Sequence, residues 1–141
     1  MTLVTAIPSA EVRQRVLEFE EALRQSHAIV EIPVTNYFAH GVYARQIFIP
    51  KGTYVTGKIH RTEHINIVSQ GDISVVTPTG IKRIRSPYTV VAPAGAKEAA
   101  YAHEDTVWTT LHAVGEETDL VKIEEAFIAP SFEALGAVDV K

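Results

Sequence analysis

Within the stretch GKIHRTEHINIVSQG, Gly57 to Gly71, the residues Lys58, His60, Arg61 and His64 have types and spacing that can do chemistry. Side chains alternate faces along a strand with period two, so Lys58 and His60 share a face. A turn at Arg61-Thr62-Glu63 carries the chain to a neighbouring strand. His64 then stands opposite or diagonal to His60, within cross-strand reach. Two imidazoles meeting in this way can ligate a divalent metal, and either can serve directly as acid or base. Lys58 and Arg61 beside them suit a carboxylate, phosphate or sugar-phosphate group.

The elements that must position these residues are legible in the surrounding pattern. Ser9 is a natural N-cap for AEVRQRVLEFEEALRQS, where Val12, Val16, Phe19 and Leu23 recur at helical spacing, which predicts a helix over 9–26. From residue 30 to 114 the chain reads as short β-branched and aromatic runs: VYARQIFI, YVTGKIH, HINIVS, ISVVT, IKRIR, YTVVA, EAAYA and VWTTLHA. Turn signals separate them at Pro50-Lys51-Gly52, Gln70-Gly71-Asp72, Pro78-Thr79-Gly80 and Ser86-Pro87. Many short antiparallel strands at hairpin spacing predict a mainly β sandwich or barrel. After Gly115 the pattern is helical again over 119–135, with Thr118 or Asp119 as cap for LVKIEEAFIA and a final turn at SFEAL. Residues 1–141 read as a single domain whose flanking helices pack on the barrel or on a second subunit, so a homodimer is expected.

Composition narrows the classes of function. A net charge of −4 over 141 residues argues against a nucleic-acid partner held by phosphate contacts. The absence of cysteine removes thiolate metal sites, disulfides and a cysteine nucleophile. The N-terminus has no signal-peptide pattern and no apolar run reaches membrane-spanning length, so a cytoplasmic protein with no membrane partner is expected. No nucleophile elbow, phosphate-binding glycine loop or dinucleotide fingerprint supports a hydrolase, kinase or dehydrogenase.

Gly52, Lys58, His60, His64 and Gly71 keep the spacing of a motif of the form G-x5-H-x-H-x3-E-x6-G, and Pro93, Gly95 and Glu98 that of a second, P-x-G-x2-H. In both, the chain resembles the cupin superfamily of small jelly-roll barrels over about residues 42 to 114. Lys58 stands where the first motif has its first His, His64 where it has Glu, and Glu98 where the second has His. The resemblance implies that Glu98 arrives from a third strand to join His60 and His64, with Lys58 beside them. Two histidines and one carboxylate, His60, His64 and Glu98, suit Fe(II), Mn(II), Zn(II) or Ni(II), with open positions for water or substrate.

Burial cost weighs against that metal. An unpaired buried ammonium is expensive, so Lys58 is expected to pair with Glu98 and to repel a cation beside it. The favoured expectation is a small-molecule-binding protein with a metal-free polar pocket of Lys58, His60, His64 and Glu98, taking an anionic or sugar-like ligand. The alternative is a metal-dependent cupin enzyme, of isomerase or dioxygenase type. His112 shares a face with Trp108 and Thr110, and lines the same pocket if that face points inward; strand parity fits either direction. His103, Glu104 and Asp105 read as a surface hairpin turn, His40 as a loop residue, and Tyr37, Phe38, Tyr43 and Tyr54 as core or interface aromatics.

Overall fold

A computed structural model describes residues 10–26, 32–77 and 80–129. Helix α1 (Ala10–Ser26) is followed by β1 (Val34–Ala39), β2 (Gly41–Ile49), β3 (Tyr54–Thr56), β4 (Ile59–His60), β5 (His64–Gln70) and β6 (Asp72–Thr77). Then come β7 (Gly80–Arg85), β8 (Tyr88–Ala92), β9 (Ala99–Ala102), β10 (Thr106–Gly115), α2 (Leu120–Phe127) and β11 (Ile128–Ala129). The expected cap Ser9 and the turn at SFEAL lie outside the described residues.

The strands form a five-stranded antiparallel sheet in the order β1-β2-β10-β5-β8 and a four-stranded one in the order β3-β9-β6-β7. A short β4–β11 ladder lies beside them. Neighbours far apart in sequence, such as β2 and β10, are the crossovers of a jelly roll. Ile49, Val68, Val90 and Trp108 from the larger sheet pack with Ile73, Val75, Ile84, Ala100 and Ala102 from the smaller, giving one apolar core between them. The expected jelly roll is thus present as two facing sheets: among the described residues, no strand pairing joins them.

Two glycines of the first motif have physical reasons. Gly52 turns the chain at φ +84°. Gly71, at φ +110°, lies under β10 so closely that a Cβ would fall 2.3 Å from Thr106 Oγ1. Only glycine fits there, and the β5–β6 turn depends on it.

Both helices hold the site in place. Phe19 of α1 meets the Tyr54 ring edge-on at 5.7 Å. The Glu20 carboxylate accepts from Thr56 Oγ1 at 2.6 Å and from Lys97 Nζ at 3.1 Å, and Lys97 also donates to the Gly57 carbonyl at 2.6 Å. This half-buried cluster fastens together the segments that carry Lys58–His60 and Glu98. Helix α2 begins on Asp119, whose Oδ1 accepts from the Val121 amide, and ends in β11, where Ile128 pairs with His60 and Ala129 with Ile59.

β1 was not foreseen as a strand. All six of its residues are exposed, so Val34, Tyr37 and Phe38 show none of the alternation that marks a half-buried strand. Tyr37 and Phe38 are therefore not core residues; Tyr43 is. No helix among the described residues is long and apolar enough to cross a membrane.

Candidate functional site

The register of the large sheet arranges the side chains of one face in three tiers, buried at β10 and β5 and exposed at the edge strand β1. Val34, Ile47, Trp108 and Val68 are cross-strand partners across β1, β2, β10 and β5. Two residues along each strand, Asn36, Arg45, Thr110 and Asn66 form a polar tier. Two residues further, Phe38, Tyr43 and His112 are partners, and β5 reaches one residue past the Leu111–Ile65 pair to His64. Successive tiers lie about 7 Å apart and neighbouring strands about 4.8 Å apart.

Opposite the sheet stand His60 of β4, Glu98 from the loop before β9, and Ile123 and Phe127 of α2, enclosing a cavity of about 660 Å³. Trp108 lies in the core, so its face of β10 points inward and carries Thr110 and His112 with it.

Three imidazoles meet at one end of this cavity. The His60 and His64 ring centroids are 4.0 Å apart, and His112 lies 5.5 Å from His60 and 5.6 Å from His64. The Phe127 ring closes the cluster 5.1 Å from His112. His64 Nδ1 is 3.0 Å from the Thr62 carbonyl oxygen, which can only accept, so the proton sits on Nδ1 and Nε2 carries a free lone pair. His64 Nε2, His60 Nδ1 and His112 Nδ1 are all buried without a hydrogen-bond partner.

Burial, reinforced by the neighbouring imidazoles and Arg45, pulls His60 down to about 3. Burial again, then His64 and Arg45, pulls His112 down to about 4. Burial also lowers His64, against the Thr62 carbonyl. All three rings are neutral at physiological pH, the state in which imidazole ligates metals. The rings lie within 20° to 34° of parallel. No group of three or more His, Cys, Asp or Glu side chains among the described residues is arranged as a ready-made metal site.

The structure distributes the other expected site residues differently. Lys58 does not pair with Glu98: its ammonium points outward to Glu124 of α2, and its side chain keeps 62% of its surface exposed. The docking of α2 provides this partner, which strand spacing alone cannot reveal. Glu98 accepts instead from Asn66 Nδ2 at 3.4 Å, and Asn66 Oδ1 accepts from Thr110 Oγ1 at 2.9 Å. Desolvation by burial raises the Glu98 carboxyl to about 7. Arg61 is absent from the cavity wall; its backbone amide and Nε bond the carbonyls of Phe127 and Ile128, so it fastens the end of α2. His103 lies outside the cavity wall and bonds Ser74 Oγ at 2.7 Å.

Sequence reasoning missed Arg45, Asn66 and Asn36. Arg45 shares the parity of Tyr43, Ile47 and Ile49, and Asn66 that of His64 and Val68, so strand alternation carried the signal for both.

No protein-family model matches the sequence, and no curated protein sequence matches it. In three dimensions the chain is similar to a cupin superfamily protein from Desulfitobacterium hafniense, at 9% identity, TM-score 0.51, covering 63% of this chain and 83% of that one. It is also similar to salicylate 1,2-dioxygenase from Pseudoaminobacter salicylatoxidans, in a structure of its adducts with gentisate. There the identity is 13% and the TM-score 0.53, with 88% of this chain but only 37% of the dioxygenase covered. The fold is the cupin jelly roll.

Proposed function

We propose that this protein binds a divalent first-row transition metal on His60, His64 and His112 and holds a small organic molecule beside it. The observation that carries the reading is the set of three buried, unpartnered imidazole nitrogens on rings 4.0 to 5.6 Å apart. Each orphaned nitrogen costs about 1–3 kcal/mol, which a shared ligand recovers. Neutral imidazoles suit zinc, iron, nickel and copper, and the Thr62 carbonyl that orients His64 is the kind of outer partner that metal-ligating histidines use.

The objection from Lys58 is removed by its pairing with Glu124, outside the imidazole cluster. His112 replaces Glu98 as the third donor. The near-parallel rings require rotation about their side-chain torsions before three nitrogens can share one ion. A bound metal supplies Lewis acidity toward a ligand oxygen. The chain's own groups do the rest: Trp108, Ile47 and Phe127 wall off water, and Glu98, close to half protonated at neutral pH, can give or accept a proton at the ligand. An oxygen-activating reaction, as in the dioxygenase neighbour, is the enzymatic form of this reading.

A second reading is favoured by the absence of a ready-made metal geometry: the same nitrogens accept hydrogen bonds directly from a ligand in a metal-free pocket. Metal analysis of tag-free protein, followed by zinc and nickel calorimetry, separates the two. One equivalent of metal supports the first reading; no saturable binding of either ion supports the second. The reading also includes a homodimer, supported by the exposed apolar residues Val42, Phe48, Ile65 and Val91 on the outer side of the large sheet. Light scattering at the dimer mass is expected, and a monomer mass across micromolar concentrations contradicts it.

A further inference from the structure

Two residues of the polar tier have no part in the imidazole cluster. Arg45 lines the cavity where it opens to solvent, its side chain exposed, and among the described residues that side chain has neither an acidic partner nor a hydrogen bond. Its cross-strand partner Asn36 lines the same wall. The Tyr43 hydroxyl donates to Asn36 Oδ1, which fixes the amide so that its two N–H donors point the other way. Asn36 and Arg45 thus present donors side by side, with no acceptor among the described residues.

The other charges facing this wall are engaged or distant. Glu124 is bound by Lys58, and Glu98 by Asn66, two strands away from Arg45. The Arg45 charge is nevertheless felt across the cavity, being among the causes that lower His60 and His112. A guanidinium is a rigid fork that matches a carboxylate with two parallel hydrogen bonds, and an adjacent amide adds a third.

We infer that Arg45 and Asn36 form an anion subsite, and that the ligand is a small organic acid with an apolar body. Arg45 lies one strand and one tier from His112, a diagonal of roughly 8 Å between backbone positions. The carboxylate binds at the β1–β2 side while the ligand's other end reaches the imidazoles. Ile47 and Trp108, one tier further in, receive the apolar body. This subsite, and not Lys58 or Arg61, reads the ligand's charge. The inference rests on the proposed function only for what the far end of the ligand meets.

Trp108 is the sole tryptophan and lines the cavity, so its fluorescence reports occupancy. The probes are 3-methylbutanoate and its uncharged match 3-methylbutanamide, titrated at fixed ionic strength into protein freed of metal by chelation. Wild type is expected to bind the carboxylate at least roughly tenfold more tightly than the amide. Arg45→Gln should abolish that preference, and Arg45→Lys, a point charge without the fork, should keep part of it. Equal binding of the two probes by wild type, a preference that survives Arg45→Gln, or binding of neither probe overturns the inference. Zinc calorimetry on wild type distinguishes the two proposals. A carboxylate preference that depends on Arg45, without zinc binding, removes the metal reading and leaves the subsite. Zinc binding without the preference does the reverse.

Discussion

Along β10, the inward side chains run from Thr106, at 0% exposure, through Trp108, which belongs to the apolar core and borders the cavity, to Thr110 and His112, which face the cavity. Its neighbour β5 runs the opposite way, from His64 and Asn66 to Val68. At one end the sheets enclose the apolar side chains of Ile49, Val68, Ile73, Val75 and Ile84. At the other, His64 and His112 of these strands meet His60, three neutral imidazoles each with an orphaned nitrogen, beside the buried Glu98 carboxyl and the exposed Arg45 guanidinium, which has no acidic partner among the described residues. The closed end supplies stability and the open end spends some of it on groups that a ligand would satisfy. Buried polar groups left without partners are the usual mark of that division of labour.

Substitutions at the two ends should therefore differ in sign. Ile73→Ala, in the closed end at 0% exposure, is expected to cost about 3 kcal/mol in urea unfolding and to leave zinc affinity of the folded protein within about twofold. A loss below about 1 kcal/mol would mean that this end is not the packed one.

Acid tests the open end, with a smaller effect in the wild type. His60 at about 3 and His112 at about 4 lie below the ordinary 6.5, so the folded protein binds fewer protons there than the unfolded chain. Their contribution is complete above pH 6.5 and is lost as pH falls toward those values. Glu98 works the other way: raised from 4.5 to about 7, it contributes fully below 4.5 and loses that contribution as pH rises through 7. For these three groups the balance is a loss on the order of 1–2 kcal/mol between pH 7 and 5, and His64, also lowered by burial, adds to it. Glu98→Gln, which removes the opposing group, should steepen the loss to on the order of 3–4 kcal/mol. Chemical denaturation across that range reads both, and a stability that rises on acidification contradicts the assignment.

The smallest expected change has the opposite sign. His112→Leu exchanges an unpartnered buried nitrogen for apolar volume and should stabilise the metal-free protein by up to about 1 kcal/mol in thermal unfolding. A clear loss would show that His112 is satisfied in the native state.

The same contrast decides what the sequence could reveal. The closed end obeys alternation, so hairpins, turns and both helices were readable, and Gly52 and Gly71 kept the spacing that their backbone angles explain. His60 and His64 do meet, their rings 4.0 Å apart, but not as the cross-strand neighbours that strand period and one turn suggest: β4 pairs with β11 and β5 with β10 and β8, so the two rings face each other across the cavity. His112 could not be assigned a face from its own strand, because Trp108, Thr110 and His112 fit either side until the core residue among them is known. The partner of Lys58 was illegible for another reason: Glu124 is 66 positions away, on a helix whose docking no local pattern encodes. Glu98 lost its expected partner with it, and the Asn66–Thr110 chain that replaces it joins residues 32 and 44 positions apart.

The central claim is that His112, and not Glu98, completes the donor set with His60 and His64. Zinc titration calorimetry on tag-free wild type, His112→Ala and Glu98→Ala tests it directly. Binding at least roughly tenfold weaker, about 1.4 kcal/mol, is expected for His112→Ala, and less than about threefold change for Glu98→Ala. Weakening confined to Glu98→Ala, with His112→Ala binding as wild type does, would contradict it.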